Sequence, residues 1–314
     1  MNGHPRAGSR QSALTIREAT GADLAAVRAL CMQTLEPVDL DDTEGLERLL
    51  WRDPDSDPRM NLVAEARREL VGCVFGSARD YGKGDGLIGF IKLATVRPDA
   101  RRQHTGTQLL TRLEDILFDV GATCIWAGGS EPRYWWPGVD KVNTTASAFF
   151  SHAGYVPVTD VANLRVSLTR PRPQEASPPD GVVSRRLSRR EWPQFKIWME
   201  EEWGAAWRDE VELTLDRSPI SCFVSSEDGA YIGFAAYDTN RTGWFGPMGS
   251  SPHARGKGIG RLLLNKCLDD YRARGLSDCV IAWAGPQDFY RGAVGAEIGR
   301  EFVRFRKMTN KVVA

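Results

Sequence analysis

The 314-residue sequence is poor in the features that mark many functional classes. It has no excess charge of either sign, since 41 Lys plus Arg balance 41 Asp plus Glu. No net field therefore draws it to nucleic acid or to an anionic membrane, and neither partner is expected, although a local basic patch stays open. No run of about 18 apolar residues is present, so no membrane-spanning helix is expected. The opening MNGHPRAGSRQSA has basic residues but no apolar stretch after them. It does not read as a signal peptide, and residues 1–13 are expected to form a disordered tail. The six cysteines form no CxxC pair and mostly sit in apolar segments, as reduced, buried thiols of a cytoplasmic protein would. Four scattered histidines lack ligand spacing, so no metal site is expected. No GxSxG elbow announces a serine nucleophile.

What is present is a core-forming composition, 42% hydrophobic and 26% charged, which argues against a wholly disordered chain. The length suits about two domains. Four prolines in RPRPQEASPPD, residues 170–180, bias that stretch to a stiff extended connector. What lies on either side of it repeats. Strand-like Leu14 to Glu18 precedes Thr20-x-x-Asp23 and an apolar helical stripe, just as Val182 to Leu187 precedes the capping-box pattern Ser188-x-x-Glu191. Paired strands then follow at Asn61 to Ala66 and Leu70 to Ala78, matched by Cys222 to Ser226 and Tyr231 to Tyr237. Further strands, Leu87 to Val96 and Trp244 to Met248, lead into RPDARRQHTGTQLLTRLEDIL and SPHARGKGIGRLLLNKCLDDY. Arg101 and Arg255 are offset by 154, Trp126 and Trp283 by 157, a near-constant spacing that indicates duplication. Each copy reads as strand, helix or helices, three strands, helix, strand, short helix, strand. That order describes an α/β (α+β) layer fold and not a solenoid.

Arg255-Gly256-Lys257-Gly258-Ile259-Gly260-Arg261 lies between a strand and a helix whose apolar face includes Ile259, Leu262, Leu263 and Cys267. Glycine allows a tight turn and a close approach of ligand to backbone. The helix start offers unpaired N–H groups and the positive end of its dipole, and the basic residues add charge. The chemistry suits a pyrophosphate; a turn that serves geometry alone is the alternative. The spacing is GxGxG after about the fourth strand, which fits neither the dinucleotide GxGxxG nor the GxxxxGK[ST] loop.

These residues resemble the GNAT acetyltransferase superfamily, whose signature of Arg or Gln, two residues, Gly, one residue, Gly or Ala is filled by Arg255, Gly258 and Gly260. The likeness runs along both halves, and the tandem layout is similar to that of mycothiol synthases. It implies two domains, each a mixed, mostly antiparallel sheet flanked by helices. It also implies acetyl-CoA as cosubstrate, its pyrophosphate on the N–H groups of Gly256, Lys257, Gly258, Ile259, Gly260 and Arg261, beside Arg255. Met248, Gly249 and Ser250 would lie along the coenzyme, with Met248 and Gly249 against the thioester and Pro247 breaking the strand there. In the same family a tyrosine on the short helix after the fifth strand commonly protonates the departing thiolate, a role that falls to Tyr290 in Phe289-Tyr290; packing is its other reading.

The first copy departs from this pattern. It reads Arg101-Arg102-Gln103-His104-Thr105-Gly106, with His104 at the place of Gly258, and Phe149-Phe150 where the second copy has Phe289-Tyr290. A degenerate coenzyme site is expected in residues 14–169 and a catalytic one in 181–314. Trp244-Phe-Gly-Pro-Met248 holds no carboxylate, so the base is left among Asp238, Asp288, the run Glu200-Glu201-Glu202 and a neutral substrate amine. Trp192, Trp198, Trp203 and Trp207 are expected mostly in the core, near an acceptor pocket. Arg133 to Asp140 is expected to pack, or to line a pocket or the seam between domains. The expectation is direct acetyl transfer from acetyl-CoA to a small-molecule primary amine, by a monomer or homodimer. Mycothiol synthase-like activity, antibiotic modification and a non-catalytic acyl-CoA-binding regulatory role stay open beside it.

Overall fold

The computed structural model describes residues 14–82, 84, 86–170 and 179–309. The stretch expected as a tail and most of the proline-rich connector lie outside them. The first half runs β1 (Thr15–Glu18), α1 (Leu24–Thr34), α2 (Thr43–Trp51), β2 (Asn61–Ala66), β3 (Glu69–Arg79), β4 (Ile88–Val96), α3 (Thr105–Asp119), β5 (Cys124–Ala127), β6 (Val139–Asp140), α4 (Thr144–His152) and β7 (Val156–Ser167). The second runs β8 (Val182–Arg186), α5 (Trp192–Trp203), α6 (Ala205–Glu212), β9 (Cys222–Glu227), β10 (Ala230–Tyr237), β11 (Trp244–Ser250), α7 (Ile259–Ala273), β12 (Asp278–Ile281), α8 (Gln287–Val294) and β13 (Glu297–Met308). The two halves share one element order, with the short β6 added in the first.

Local chemistry explains the helix starts. Ser188 and Glu191 form a capping box before α5, with the Ser188 N–H donating to Glu191 Oε2 at 3.1 Å, and Thr20 with Asp23 does the same before α1 at 2.8 Å. Asp42 caps α2 by accepting from the Gly45 N–H at 2.7 Å. In α7 the stripe of Ile259, Leu262, Leu263 and Cys267 is buried as its spacing requires, with Ile259, Leu263 and Cys267 in the cluster against the sheet. Leu109, Leu110, Leu113 and Leu117 do the same in α3.

The strands join in one continuous sheet, β1-β2-β3-β4-β5-β13-β7-β12-β11-β10-β9-β8. It is antiparallel except where β4 meets β5 and β11 meets β12. The halves exchange their last strands. β13, from the C-terminal end, pairs with β5 of the first half, and β7 pairs with β12 of the second. β7 and β13 also pair with each other over most of their length. The cores follow this exchange: Leu164, Val166 and Leu168 pack with the α7 cluster, and Phe305 with the α3 cluster. On the opposite face α1 and α2 cover the first half, and α5 and α6 the second, through two further apolar clusters. All six cysteines are buried. Among the described residues no helix is long and apolar enough to cross a membrane, and no group of three His, Cys, Asp or Glu is placed to hold a metal ion.

Candidate active site

The glycine turn connects β11 to α7. Gly256 has φ +77 and Gly258, the N-cap of α7, has φ +81; both are left-handed, and a Cβ on either would meet open space. Lys257 N–H bonds back to the Ala254 carbonyl at 3.4 Å and Arg255 N–H to Pro252 at 3.3 Å, so those two donors are used within the turn. The first helical turn leaves the N–H groups of Ile259, Gly260 and Arg261 without a carbonyl inside the helix. Arg255, Lys257 and Gly258 are exposed, while Ile259 is buried and anchors the turn. Arg255 Nε donates to the Ser250 carbonyl at 3.4 Å, and Lys257 Nζ sits 3.5 Å from Glu227. Open space, free donors and exposed cations meet the requirements of a diphosphate.

A slot leads inward from this turn. β11 follows β12 only at Trp244 and Phe245, with a last bond from the Ala282 N–H to the Phe245 carbonyl at 3.2 Å; beyond that the two strands diverge. Ser251 N–H bonds to Ile232 on β10, so the alternation of an antiparallel ladder turns Gly249 toward β10 and the N–H groups of Met248 and Ser250 toward the gap. Gly249 contributes shape: the indole of Trp203 lies on it, and a Cβ there would come within 2.5 Å of that ring. The ladder slips opposite Gly246-Pro247, between Ala235 and Tyr237.

Tyr290 is buried on α8, with its ring edge-on to Phe245 and Phe289. Its hydroxyl makes no hydrogen bond to a described residue, and burial pushes its pKa up to about 12. The proton is thus held at neutral pH. Phe289 lies over Gly260 and Phe149 over Gly106, each 3.4 Å from where a Cβ on that glycine would stand, and the N–H groups of Ala296 and Tyr155 donate back to the carbonyls of Tyr290 and Phe150. Phe150 therefore stands where Tyr290 stands, without a hydroxyl. Arg102 and His104 take φ +60 and +61 where the second half has glycine, so the first turn keeps its path at a cost of roughly 1–2 kcal/mol per residue. His104 is exposed and Arg101 Nε keeps the counterpart bond, to the Val96 carbonyl at 2.9 Å.

Sequence reasoning left the base open among several carboxylates and missed Glu210. Asp238 is buried and engaged by Arg274 Nη1 at 2.5 Å, Tyr271 at 3.1 Å and the Gly243 N–H at 2.6 Å. Asp288 is fully exposed, with Arg291 3.7 Å away. Glu200 binds Arg208 at 2.6 Å near the surface. Glu210, on α6, is only 4% exposed. Its Oε1 accepts from Asn240 Nδ2 at 2.9 Å and from Thr239 Oγ1 at 3.2 Å, and that hydroxyl lies 3.3 Å from the carbonyl of Gly246 on β11. Desolvation pushes Glu210 up to about 8. Its position among polar residues of a short helix with little periodicity gave no signal in the sequence.

Arg133 to Asp140 lies at the seam. The Tyr134 N–H donates to Asn240 Oδ1 at 3.3 Å, and its ring meets Trp283 edge-on at 5.3 Å and Trp244 at 6.1 Å. Trp192 is buried, while Trp198, Trp203 and Trp207 pack against the same apolar cluster; Trp203 and Trp207 stack at 5.2 Å. The first half also holds a cleft of about 370 Å³ where β4 parts from β5. Ile91 to Ala94, Arg101, Val139 and Phe150 line it, and its polar end is Arg300 of β13 bound to Asp39 at 2.7 Å and Asp140 at 2.6 Å.

A family model described as the acetyltransferase (GNAT) family matches residues 25–155 and again 185–293. A mycothiol acetyltransferase from Rhodococcus erythropolis is 25% identical over 282 residues, covering 76% of this chain and 86% of its own. Among solved structures, a GCN5-related N-acetyltransferase from Sphaerobacter thermophilus aligns with a TM-score of 0.70 at 20% identity, over 94% of this chain and 95% of that one. A tandem GNAT protein from the clavulanic acid biosynthesis pathway aligns with a TM-score of 0.69 at 15% identity, over 96% and 100%. The GCN5-related glucosamine N-acetyltransferase region of a fungal multi-domain β-N-acetylglucosaminidase gives 0.77 at 18% identity; this chain spans 38% of that protein's length. With the family model matched twice, once in each half, and both halves folded as their shared element order requires, the chain belongs to the acetyltransferase (GNAT) family.

Proposed function

We propose that the protein transfers acetyl from acetyl-CoA to a primary amine of a small molecule, with residues 181–314 as the working half and 14–169 as its buttress. The observation that carries the assignment to the second half is an asymmetry between equivalent positions. Glycine occupies both left-handed positions of the second turn and Tyr290 supplies a hydroxyl below it; the first half has Arg102, His104 and Phe150. The residues fit the coenzyme: Gly256 and Gly258 leave space for a diphosphate, and the first N–H groups of α7 face it.

In this reading the N–H of Met248 faces the thioester carbonyl and stabilises the oxyanion. The amine nitrogen attacks the carbonyl carbon directly, the C–S bond breaks, and Tyr290 gives its proton to the leaving thiolate. Glu210, protonated near neutrality and within two hydrogen bonds of β11, accepts the proton of the ammonium once it is itself ionised. All six cysteines are buried, which supports direct attack over an acetyl-enzyme. The test is a panel of amines, a mycothiol-related amine among them, with acetyl-CoA and free thiol as readout. Turnover that falls in Y290F while coenzyme binding persists supports the reading. A chain that binds acyl-CoA and turns over nothing is a regulatory binder instead.

A second reading is favoured by the first-half cleft, whose walls run from Arg101 to Phe150 along the parted edge of β4. It has the volume for an extended ligand. Two coenzymes bound per chain, by equilibrium dialysis, would establish it.

A further inference from the structure

Arg304 and Arg306 of β13 break a pattern. Several other half-buried or buried arginines are matched to acids: Arg79 to Asp53, Arg300 to Asp39 and Asp140, and Arg241 to Asp39. Arg304 and Arg306 have no ion pair or hydrogen bond among the described residues, and the Nε atom of each is buried without a partner. Arg304 is clamped between two indoles, its guanidinium carbon 4.2 Å from the ring centre of Trp126 and 4.6 Å from that of Trp283; Arg306 lies 5.2 Å from Trp126. The two tryptophans are the duplicated pair of the sequence, brought together because β13 crosses into the first half. Two like charges share one ring; Glu131 acts on Arg304 through space without an ion pair, and an added anion would complete the pairing that Arg300 and Arg241 already have.

With indoles on the guanidinium of Arg304, its edge is the direction left for a hydrogen-bonding partner. Gly129 keeps that edge clear: with φ +68, a Cβ there would lie 3.1 Å from Arg304 Nη2 and 3.0 Å from Trp283. A planar fork presented edge-on suits a carboxylate, which it meets with two parallel bonds. Trp283 directly follows Ala282, which makes the last bond to β11, so the clamp lies where the two strands begin to part. Tyr134 touches Trp283 on one side and reaches Asn240, hence Glu210, on the other. The seam thus has the Arg304 cation on one side and the Glu210 carboxyl on the other, with the charge of Glu131 acting on both.

We infer that Arg304 receives a carboxylate of the acceptor, so that the acceptor is an amine that also carries a carboxylate, an amino acid in the broad sense. As to turnover this rests on the acetyltransferase reading; the anion site itself does not.

The test titrates the full chain with α-, β- and γ-amino acids, with the matching amides and with phosphoethanolamine, following tryptophan emission and the heat of binding. The amino acid is expected to bind about tenfold or more tightly than its amide, with the preference lost in R304Q and partly kept in R304K. In thiol release the same preference should fall in KM, with kcat little changed. Absence of saturable binding, equal binding of acid and amide, or a preference that survives in R304Q overturns the inference, and tighter binding of phosphoethanolamine overturns its carboxylate identity. Carboxylate-selective binding without turnover of any amine leaves the anion site and removes the acetyltransferase reading. Turnover of amides as fast as acids does the reverse. Circular dichroism and melting of each variant separate loss of the site from loss of the fold, and R304K keeps the question decidable if R304Q does not fold.

Discussion

Phe150 of α4 occupies in the first half the place that Tyr290 of α8 occupies in the second, each following a phenylalanine that rests against the second residue of the preceding helix. At this position the two halves differ by one hydroxyl. Replacing Tyr290 with Phe should lower kcat by about 100-fold or more, at nearly unchanged coenzyme affinity. Phe150→Tyr should leave turnover where it was. Steady-state rates and coenzyme binding for both variants decide the matter, and an active Y290F would remove the acid from this residue.

The turns make a second comparison. Gly258→His copies the first half into the second. The left-handed N-cap should then lose roughly 1–2 kcal/mol of stability, visible in a denaturant titration, and the imidazole should enter the space reserved for phosphate. Coenzyme affinity should fall by about tenfold or more while kcat at saturation changes less. His104→Gly, the reciprocal change, should raise stability or leave it unaltered and leave the rate alone.

Glu210 couples stability to pH. Its folded pKa, about 8, is above that of an unfolded glutamate, so the native state holds a proton that the unfolded chain has released. The stability this gives is full below the unfolded value near 4.5 and is lost as pH rises through about 8. Melting temperature should decline over that interval, and E210Q should flatten the decline. If Glu210 is the base, kcat/KM rises over the same range in the parent protein and loses that limb in E210Q.

Gly249→Ala should cost about 1–3 kcal/mol, because the new methyl overlaps the Trp203 indole. Trp203→Leu should relieve part of that cost, giving a coupling in a double-mutant cycle measured by thermal melts. Independence of the two changes would mean that Trp203 moves freely.

Much of this architecture was readable from spacing. Helix stripes such as Ile259, Leu262, Leu263 and Cys267 report their own period, and a capping box such as Ser188 with Glu191 marks its own start. The element order followed from these local signals, read twice. The fusion of the two sheets did not. β7 and β13 each read as a 12-residue strand whichever partner they take, and nothing local says that the neighbour of Cys124 is Met308 and not a residue of β7. The turn at Gly256 to Gly260 was legible because glycine is itself the signal. Glu210 and Arg304 were not, because their meaning lies in what surrounds them: desolvation in one case, two distant tryptophans in the other.

The crossed last strands also bear on how the chain can be divided. Cut at the connector, each fragment retains a terminal strand whose duplicate fills the berth beside its own fifth strand, in the same antiparallel sense. A liberated N-terminal fragment could fold β7 into the berth vacated by β13 and close on itself, or recapture the missing piece from a separately made C-terminal fragment. The intact polypeptide is in effect a domain-swapped dimer made permanent by a peptide link, and the tether chooses the open arrangement by raising the local concentration of the partner.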